Sequence, residues 1–390
     1  MKVRKAKLYV IKIGLTLGML ITIFSTETVF GRRLPDDISF GVADMKYDGE
    51  HVKICEFGDG AFSAFVGYDL LYGTGAMWKK FWTYLNQFHA PIWLIDPAVE
   101  PERLAIKSAE TLKSLKGNVV SDLSQLKKNI THGKKGDLKK RWHAARYKGI
   151  IFSMWRYKMD TVSPRAILKA FPSSLCVGKC TRAQMSNKRR SNKLFTDSWM
   201  RQFRPSCKVC SKKYTPTLAQ SIVDELKADM FIIKPENSTL SQGVIAVMRD
   251  DLDATLRLIL QAPEQLKHQD VEPAYKYWAH DKNDVFLVEA YAPSKIIYAQ
   301  GKSFDATLRI AFCMHYIDGK PSVTILDGFW KFPTKSLDDE GSLIDKHISN
   351  VYIGTGVRSA KVDPADMDHI RKIMPPLLKK VYANILKVQD

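Results

Sequence analysis

A buried strand that ends in a lysine is predicted at residues 231–235, Phe-Ile-Ile-Lys-Pro, and a polar loop follows it at once. The apolar run favours a strand carrying Lys234 near its end, and Pro235 prevents further ladder pairing. The loop at 236–244 is rich in hydroxyl groups and contains one glycine. Such a loop can approach an anion closely and offer it N–H and O–H donors. The candidate phosphate-binding residues of this loop are Ser238, Thr239, Ser241 and Gly243.

Two later segments extend this pattern. Residues 286–291, Phe-Leu-Val-Glu-Ala-Tyr, predict a second buried strand that carries Glu289 near its end and closes with Tyr291. Residues 303–312 form a further strand-like run, in which Asp305 and Arg309 stand four positions apart. Each piece alone is a weak signal, but four pieces in one order are less often produced by chance.

In that order the four pieces resemble the ATP-grasp superfamily of ATP-dependent carboxylate–amine ligases. The resemblance covers roughly residues 185–390. It implies an α/β (α+β) fold, with an ATP-grasp core preceded by a small α/β pre-grasp domain, and it implies ATP and Mg²⁺ as cofactors. The alternative is a buried β-rich domain in which the lysine and the arginine merely end strands.

The resemblance also implies a role for each matching residue. Lys234 would neutralise charge on the α- and β-phosphates, and main-chain groups around Glu289 and Tyr291 would bind the adenine edge. Arg309 would be catalytic, stabilising charge on the transferred phosphoryl group. The segment at 192–197 resembles the one that precedes the core in this superfamily. Its Lys193 either reaches a phosphate or is a surface lysine.

The magnesium site is where the sequence departs from the family pattern. ATP-grasp enzymes hold Mg²⁺ with an acidic residue and a later Glu-x-Asn motif, and no Glu-x-Asn follows Arg309. Asp327 and Asn350 are the best substitutes, because Mg²⁺ prefers carboxylate and carbonyl oxygens. This departure makes catalytic activity the open question.

Four of the six cysteines form two closely spaced pairs, Cys176 with Cys180 and Cys207 with Cys210. Two such pairs separated by a loop are typical of a structural four-thiolate zinc site. In an exported protein the same residues could instead form two disulfides. Unliganded thiols are the third possibility.

An export signal is predicted at residues 1–31. A lysine- and arginine-rich start precedes an apolar stretch at 13–24, and Val-Phe-Gly at 29–31 offers a cleavage site. The apolar stretch is shorter than the roughly 20 residues that span a bilayer, so a cleaved signal is favoured over an anchor. The mature protein is therefore expected to be secreted or periplasmic, or delivered into a host cell, with no membrane segment.

The rest of the chain predicts an N-terminal α/β domain at 32–112, a basic linker at 113–150, a Cys-containing subdomain at 151–225 and the core at 226–390. Strands are expected at 40–44, 52–57 and 91–96, and an aromatic-rich helix at 77–89. The final residues predict a helix at 364–386, broken or kinked at its two prolines. This helix is expected to bury an apolar stripe of Ile370, Ile373, Met374, Leu377, Val381 and Ile385. The linker's run Lys-Lys-Gly-Asp-Leu-Lys-Lys-Arg at 134–141 favours a solvated face over nucleic-acid binding, because aromatic residues are sparse around it.

Two classes of function remain. In the first, the protein is a ligase that activates a carboxylate as an acyl phosphate and transfers the acyl group to an amine-type nucleophile. In the second, the fold is a non-catalytic module that binds nucleotide or acidic partners. Sixty basic against 41 acidic residues, a formal charge of +19, favour anionic partners in either case, an acidic protein among them.

Overall fold

A computed structural model describes residues 36–59, 62–95, 118–120, 123–132, 147–153, 164–350 and 358–388. This part of the chain is a mixed α/β structure with several sheets, which confirms the predicted fold class. The predicted export signal and the basic run at 134–141 lie outside the described residues. Within them, no helix is both long and apolar enough to cross a bilayer.

The strands follow one another along the chain with several helices between them. They are β1 Asp37–Tyr47, β2 Val52–Asp59, β3 Ile92–Ile95, β4 Asn118–Val120, β5 Gly149–Ser153, β6 Ser174–Cys176, β7 Cys207–Ser211, β8 Met230–Pro235, β9 Ile245–Met248, β10 Val285–Ala290, β11 Ile296–Ala299, β12 Lys302–Asp305, β13 Thr307–Ile317, β14 Lys320–Lys331 and β15 Ser359–Lys361. The α-helices are α1 Val66–Tyr72, α2 Ala76–Asn86, α3 Leu123–His132, α4 Pro164–Ala170, α5 Arg182–Met185, α6 Lys188–Lys193, α7 Ser198–Arg201, α8 Leu218–Leu226, α9 Leu252–Gln261, α10 Pro273–Tyr277, α11 Leu343–His347 and α12 Pro364–Lys387.

The largest sheet is antiparallel and has five strands in the order β15-β14-β13-β1-β2. Its strand β1, which lies between β13 and β2, is buried along its whole length, because side chains pack against it on both faces. On one face Phe40 stacks on Phe81 of α2, with 4.0 Å between ring centroids. On the other, Asp37 meets Tyr382 of α12. A strand covered on both faces reads as a continuous buried run rather than an alternating one.

A second antiparallel sheet has four strands in the order β7-β10-β8-β9. It packs against α8 and α9 over a core that includes Phe231, Leu256 and Trp278, all fully buried. Its strands β8 and β10 are the two that the apolar runs at 231–235 and 286–291 predict. The run at 303–312 is divided, since Ala306 separates β12 from β13.

The third sheet is parallel, in the order β4-β3-β5-β6. Within the described residues it contains β3, the strand predicted at 91–96, and packs with α3 and α4 around Ile151, Leu126 and Ile167. The segment predicted as a basic linker therefore contributes β4, α3 and the start of β5 to a folded layer. This corrects the linker prediction.

The domain boundaries also need correction. Strands β1 and β2 belong by sequence to the predicted N-terminal domain, yet β1 pairs with β13 from residue 37 to residue 45. One sheet thus joins the predicted first domain to the predicted core. The boundary at 225 falls inside α8, and residues 35–390 form one compact unit.

The C-terminal helix α12 has nearly the predicted bounds and is not broken at its two prolines. It runs from Pro364 to Lys387 and continues through Pro375 and Pro376 without ending there. The predicted apolar stripe is largely confirmed, since Ile370, Met374, Leu377, Val381 and Ile385 are fully buried. Burial of this stripe against the five-stranded sheet holds the helix in spite of the missing N–H groups.

Candidate nucleotide-binding cleft

A cleft with a cavity volume of about 80 Å³, open to solvent on one side, lies between the five-stranded and four-stranded sheets. Strands β1, β2, β13 and β14 supply one wall, and strands β8 and β10 supply the other. The charged or titratable residues that line the cleft are Asp44, Lys46, Cys55, Glu56, Lys188, Lys234, Glu289, Tyr291, Lys331 and His347.

The floor of the cleft is an ion cluster built by strand register. Asp44 on β1 stands directly opposite Arg309 on β13, and Arg309 donates to both carboxylate oxygens at 2.6 and 2.7 Å. Lys331 at the end of β14 adds a third hydrogen bond at 2.7 Å. Burial alone would raise the pKa of Asp44, but the two cations outweigh it and lower that pKa. Burial, aided by the charge of Arg309, lowers the pKa of Lys331.

The opposite wall carries a second buried ion cluster. Lys234 of β8 donates to Glu289 Oε2 on β10 at 2.5 Å, and Arg204 donates to Glu289 Oε1 at 3.2 Å. The Lys234 ammonium also reaches the main-chain oxygen of Cys55 on β2 at 3.3 Å, so it crosses the cleft. Burial works against the charge of Lys234, but Glu289 outweighs burial and raises the pKa of the lysine. Lys234 is therefore a fixed cation at neutral pH.

A third charged group closes one end of the cleft. Asp305 accepts from Lys46 Nζ at 2.8 Å and lies 2.8 Å from Nδ1 of His347. Burial raises the pKa of Asp305 and Lys46 lowers it, with a net lowering. The Tyr291 ring lies 5.3 Å from the His347 ring and 5.9 Å from the Lys46 ammonium. Tyr291, the residue that follows β10, is thus held next to Lys46 and His347.

The polar loop at 236–244 borders the cleft and is held in place by hydrogen bonds. Buried Lys188 of α6 donates to the main-chain oxygen of Ser238 and, at 3.2 Å, to its Oγ. Ser241 donates to the oxygen of Ser349 at 3.2 Å, and Asn350 donates to the oxygen of Leu240 at 3.0 Å. These contacts tie the loop to the segment that follows α11.

Glycine is required within this loop at position 243. Gly243 has φ of +70°, in the left-handed region, and a Cβ there would lie 2.5 Å from the Tyr277 ring and 2.6 Å from Pro235. Its carbonyl accepts from the Trp278 indole N–H at 3.0 Å. Leu240 and Ser241 also adopt positive φ, which is uncommon for residues with a side chain. The backbone of the loop is therefore shaped next to the cleft at some conformational cost.

The predicted site residues divide into two groups. Lys234, Ser241, Glu289 and Tyr291 line the cleft, and Gly243 shapes the adjoining loop. The side chain of Ser238 is buried beneath the loop on Lys188, and Thr239 is exposed.

The N–H groups expected to bind adenine already have partners. Ala290 N donates to Ser206 O at 2.8 Å, and Tyr291 N donates to Met230 O at 2.9 Å. Lys193 is exposed and lines a separate cavity beside Arg201. Arg309 lies behind Asp44 and does not line the cleft. It can therefore act on a ligand only through Asp44 and Lys331.

Four lysines matter here, and the sequence predictions identified only Lys234. Lys46 and Lys331 are each a charged residue inside an apolar strand, which is the signal that could have pointed to them. Lys188 stands in a basic stretch where nothing marks it, although it is only 5% exposed and its neighbour Lys193 is exposed. Its burial depends on the loop at 236–244, a tertiary contact that the local sequence does not show.

The four paired cysteines do not form the predicted four-thiolate zinc site. Cys207 and Cys210 lie on β7, whereas Cys176 is the last residue of β6 and Cys180 lies in the turn that follows it. All six cysteines are free thiols, and no group of three or more potential ligands gathers within the described residues. Burial raises the pKa of Cys207 to about 12 and that of Cys210 to about 11, which disfavours the metal-binding thiolates. The free-thiol alternative matches the structure.

The predicted magnesium ligands are not brought together at the cleft either. Asp327 accepts from Tyr68 at 2.7 Å and pairs with Lys80 at 3.0 Å, away from the cleft lining. The side-chain amide of Asn350 donates to Leu240 instead. Magnesium requires near-octahedral oxygen ligands at about 2.0–2.1 Å. The donor set expected from the sequence does not fit that requirement.

The comparisons with known proteins give structural neighbours but no sequence match. No protein-family model and no curated protein matches the chain. A protein described as a gamma-glutamylcysteine synthetase from Methylobacillus flagellatus is 10% identical, with a TM-score of 0.44 and 91% of each chain covered. The D-cycloserine synthetase DcsG is 12% identical, with a TM-score of 0.34, covering 76% of this chain and 81% of that one.

A D-alanyl-alanine synthetase A from Vibrio cholerae is 11% identical, with a TM-score of 0.36, covering 76% of this chain and 80% of that one. All three are described as synthetases. Because these TM-scores are below 0.5, the likeness assigns no activity and no residue role to this chain.

Proposed function

We propose that this protein binds ATP in the cleft and uses it to join a carboxylate to an amine-type nucleophile. The observation that supports this most is the convergence of Lys46, Lys188, Lys234 and Lys331 on one cleft beneath the loop at 236–244. Buried lysines are costly to maintain. With Arg204 and Arg309 they make six cations against the four carboxylates Asp44, Glu56, Glu289 and Asp305, and the two positive charges left over favour a polyphosphate ligand.

Each lysine has a place in this proposal. Lys234 and Lys188 lie under and beside the loop, so they neutralise the phosphates that the loop covers. Lys331 belongs to the Asp44 cluster and is the cation of that cluster that lines the cleft. Arg309 is a positioning residue, because its two hydrogen bonds to Asp44 fix the carboxylate on which Lys331 rests.

The reaction then proceeds in two balanced steps. A substrate carboxylate oxygen attacks the γ-phosphorus, the bond from that phosphorus to the bridging oxygen breaks, and ADP leaves. The amine nitrogen next attacks the acyl carbon, the C–O bond to phosphate breaks, and inorganic phosphate leaves while the nitrogen loses a proton. Fixed cations stabilise the charge that develops on the transferred group, which is the main contribution to such transfers.

Nucleotide titration of the full chain by calorimetry, with ADP release against pooled carboxylates and amines, tests the proposal. Lys234→Ala should weaken nucleotide binding by about 1.5–3 kcal/mol, the size of a charge-assisted contact. Arg309→Ala should instead lower turnover with less effect on affinity, because Arg309 positions Asp44 and Lys331 and does not line the cleft. Lys379→Ala, which removes an exposed lysine from α12, is the charge-matched control and should change neither.

A second candidate function is a non-catalytic nucleotide-binding module. The poor fit of the magnesium donor set favours it, since phosphoryl transfer generally uses that metal. ATP binding without ADP release from any substrate pool would support this module. Loss of all nucleotide binding in folded protein would remove both functions.

A further inference from the structure

The cleft contains cations and ion-paired carboxylates in an arrangement suited to a metal-free polyphosphate. Both oxygens of Asp44 accept from Arg309, and one also accepts from Lys331. Both oxygens of Glu289 are bonded, one to Lys234 and one to Arg204. A divalent cation would have to displace these partners before it could use either carboxylate.

The two remaining carboxylates supply little more. Asp305 uses Oδ2 for Lys46 and His347, which leaves the buried Oδ1 as one oxygen without a hydrogen-bond partner. Glu56 is 36% exposed at its side chain and lies 3.3 Å from the Lys188 ammonium. A cation placed beside Glu56 would therefore meet the charge of Lys188 as well.

We propose that the cleft binds its nucleotide as the free polyphosphate anion, with the lysines neutralising the phosphates in place of Mg²⁺. This inference rests on the proposed nucleotide site and states which form of the nucleotide that site takes. Lys331 is central to it, because it adds a second cation to Asp44 on the floor of the cleft. The free tetra-anion interacts with the excess positive charge of the cleft more strongly than its magnesium complex does, since the metal cancels two of its charges.

The test is calorimetric titration of the full chain with ATP in excess EDTA and, separately, in excess Mg²⁺. The dissociation constant in EDTA should be equal to or lower than that in Mg²⁺. A weakening of more than about threefold in EDTA overturns the inference. Binding that requires Mg²⁺ would overturn it while leaving the proposed function standing, whereas no binding in either buffer would overturn both.

Substitutions at Lys331 and Glu56 test separately whether ATP binding depends on the lysine or on a metal ion held by the glutamate. Lys331→Gln should weaken ATP binding in EDTA by about tenfold or more, and binding at wild-type strength would contradict the proposal. Glu56→Gln should leave the ratio of the two dissociation constants unchanged, and a lost magnesium response would identify Glu56 as a metal ligand. Lys331→Glu should make binding depend on Mg²⁺, because it places a carboxylate beside Asp44. Lys379→Gln is the control for net charge.

Discussion

Strand β1 carries an aspartate near each end, and their surroundings differ sharply. Asp44 faces the cleft and is hydrogen-bonded to Arg309 and Lys331. Asp37 points to the opposite face, seven residues earlier, and accepts from Tyr382 at 2.5 Å and from Ser39 at 3.2 Å. Burial raises the pKa of Asp37, whereas the cations lower that of Asp44.

The groups that surround Asp37 and Asp44 differ in charge, and this difference distinguishes the cleft from the rest of the core. Both carboxylates are buried to within a few per cent, so burial does not distinguish them. The hydroxyls around Asp37 stabilise a polar group inside the fold without placing a cation against it. Around Asp44 the chain instead holds a buried lysine and a partly buried arginine, an arrangement that fold stability does not need. Such an arrangement indicates a ligand site.

Removing the cleft aspartate should have the largest effect on stability. Asp44→Ala leaves Arg309 and Lys331 buried without their carboxylate, which should lower the free energy of unfolding by about 3–5 kcal/mol. Urea denaturation measures this. Asp253→Ala, which breaks the exposed pair with Arg257, is the control and should cost much less. Equal losses would show that the Asp44 cluster is not the buried network described above.

The two aspartates should give opposite pH dependence. The lowered pKa of Asp44 provides stability that is present above its unfolded pKa, near 4, and lost as pH falls toward the folded value. The raised pKa of Asp37 works the other way, so stability from this group increases as pH falls through its folded pKa.

Asp44→Asn should therefore flatten the acid loss of stability, and Asp37→Asn should steepen it. Each unit of pKa difference corresponds to about 1.4 kcal/mol. Urea unfolding of the wild type and both variants from pH 7 to pH 3 would measure the slopes. Parallel slopes for the two variants would contradict the comparison.

Replacing Lys331 should weaken ATP binding without lowering the stability of the fold. Lys331→Met removes a buried cation whose pKa burial lowers, while Arg309 keeps Asp44 paired. The free energy of unfolding should stay within about 1 kcal/mol of the wild type or rise, because an apolar side chain of similar length fills the space. ATP binding should fall in the same variant. A large loss of stability would make Lys331 a structural residue instead.

The smallest effect is expected at the other end of β1. Asp37→Asn keeps an acceptor for Tyr382 and Ser39 and leaves no cation unpaired, so its stability change at pH 7 should be below about 1 kcal/mol. Nucleotide binding should be unchanged, as calorimetry would show. Reduced binding would mean that the hydrogen bonds of Asp37 with Tyr382 and Ser39 affect nucleotide binding in the cleft.

The sequence predicts well what is local and misses what depends on distant pairing. The apolar runs at β8 and β10, the loop glycine and the apolar stripe of α12 follow from local pattern, because burial and turn geometry leave local signatures. The Asp44–Arg309 pair joins residues 265 positions apart, and no local pattern specifies that register. The same limit explains the zinc prediction, since the spacing of four cysteines does not show that β6 and β7 belong to different sheets.

The interior position of β1, between β2 and β13, has a consequence for how the chain folds during synthesis. Its partner β13 follows about 260 residues later, a delay of roughly ten seconds to one minute at ribosomal rates of about 5–20 residues per second. During that interval an apolar strand with open hydrogen-bonding groups is available for wrong pairing. High contact order of this kind slows folding, so protection of the nascent N-terminal strand, by a chaperone or by β2 alone, should govern the yield of native protein.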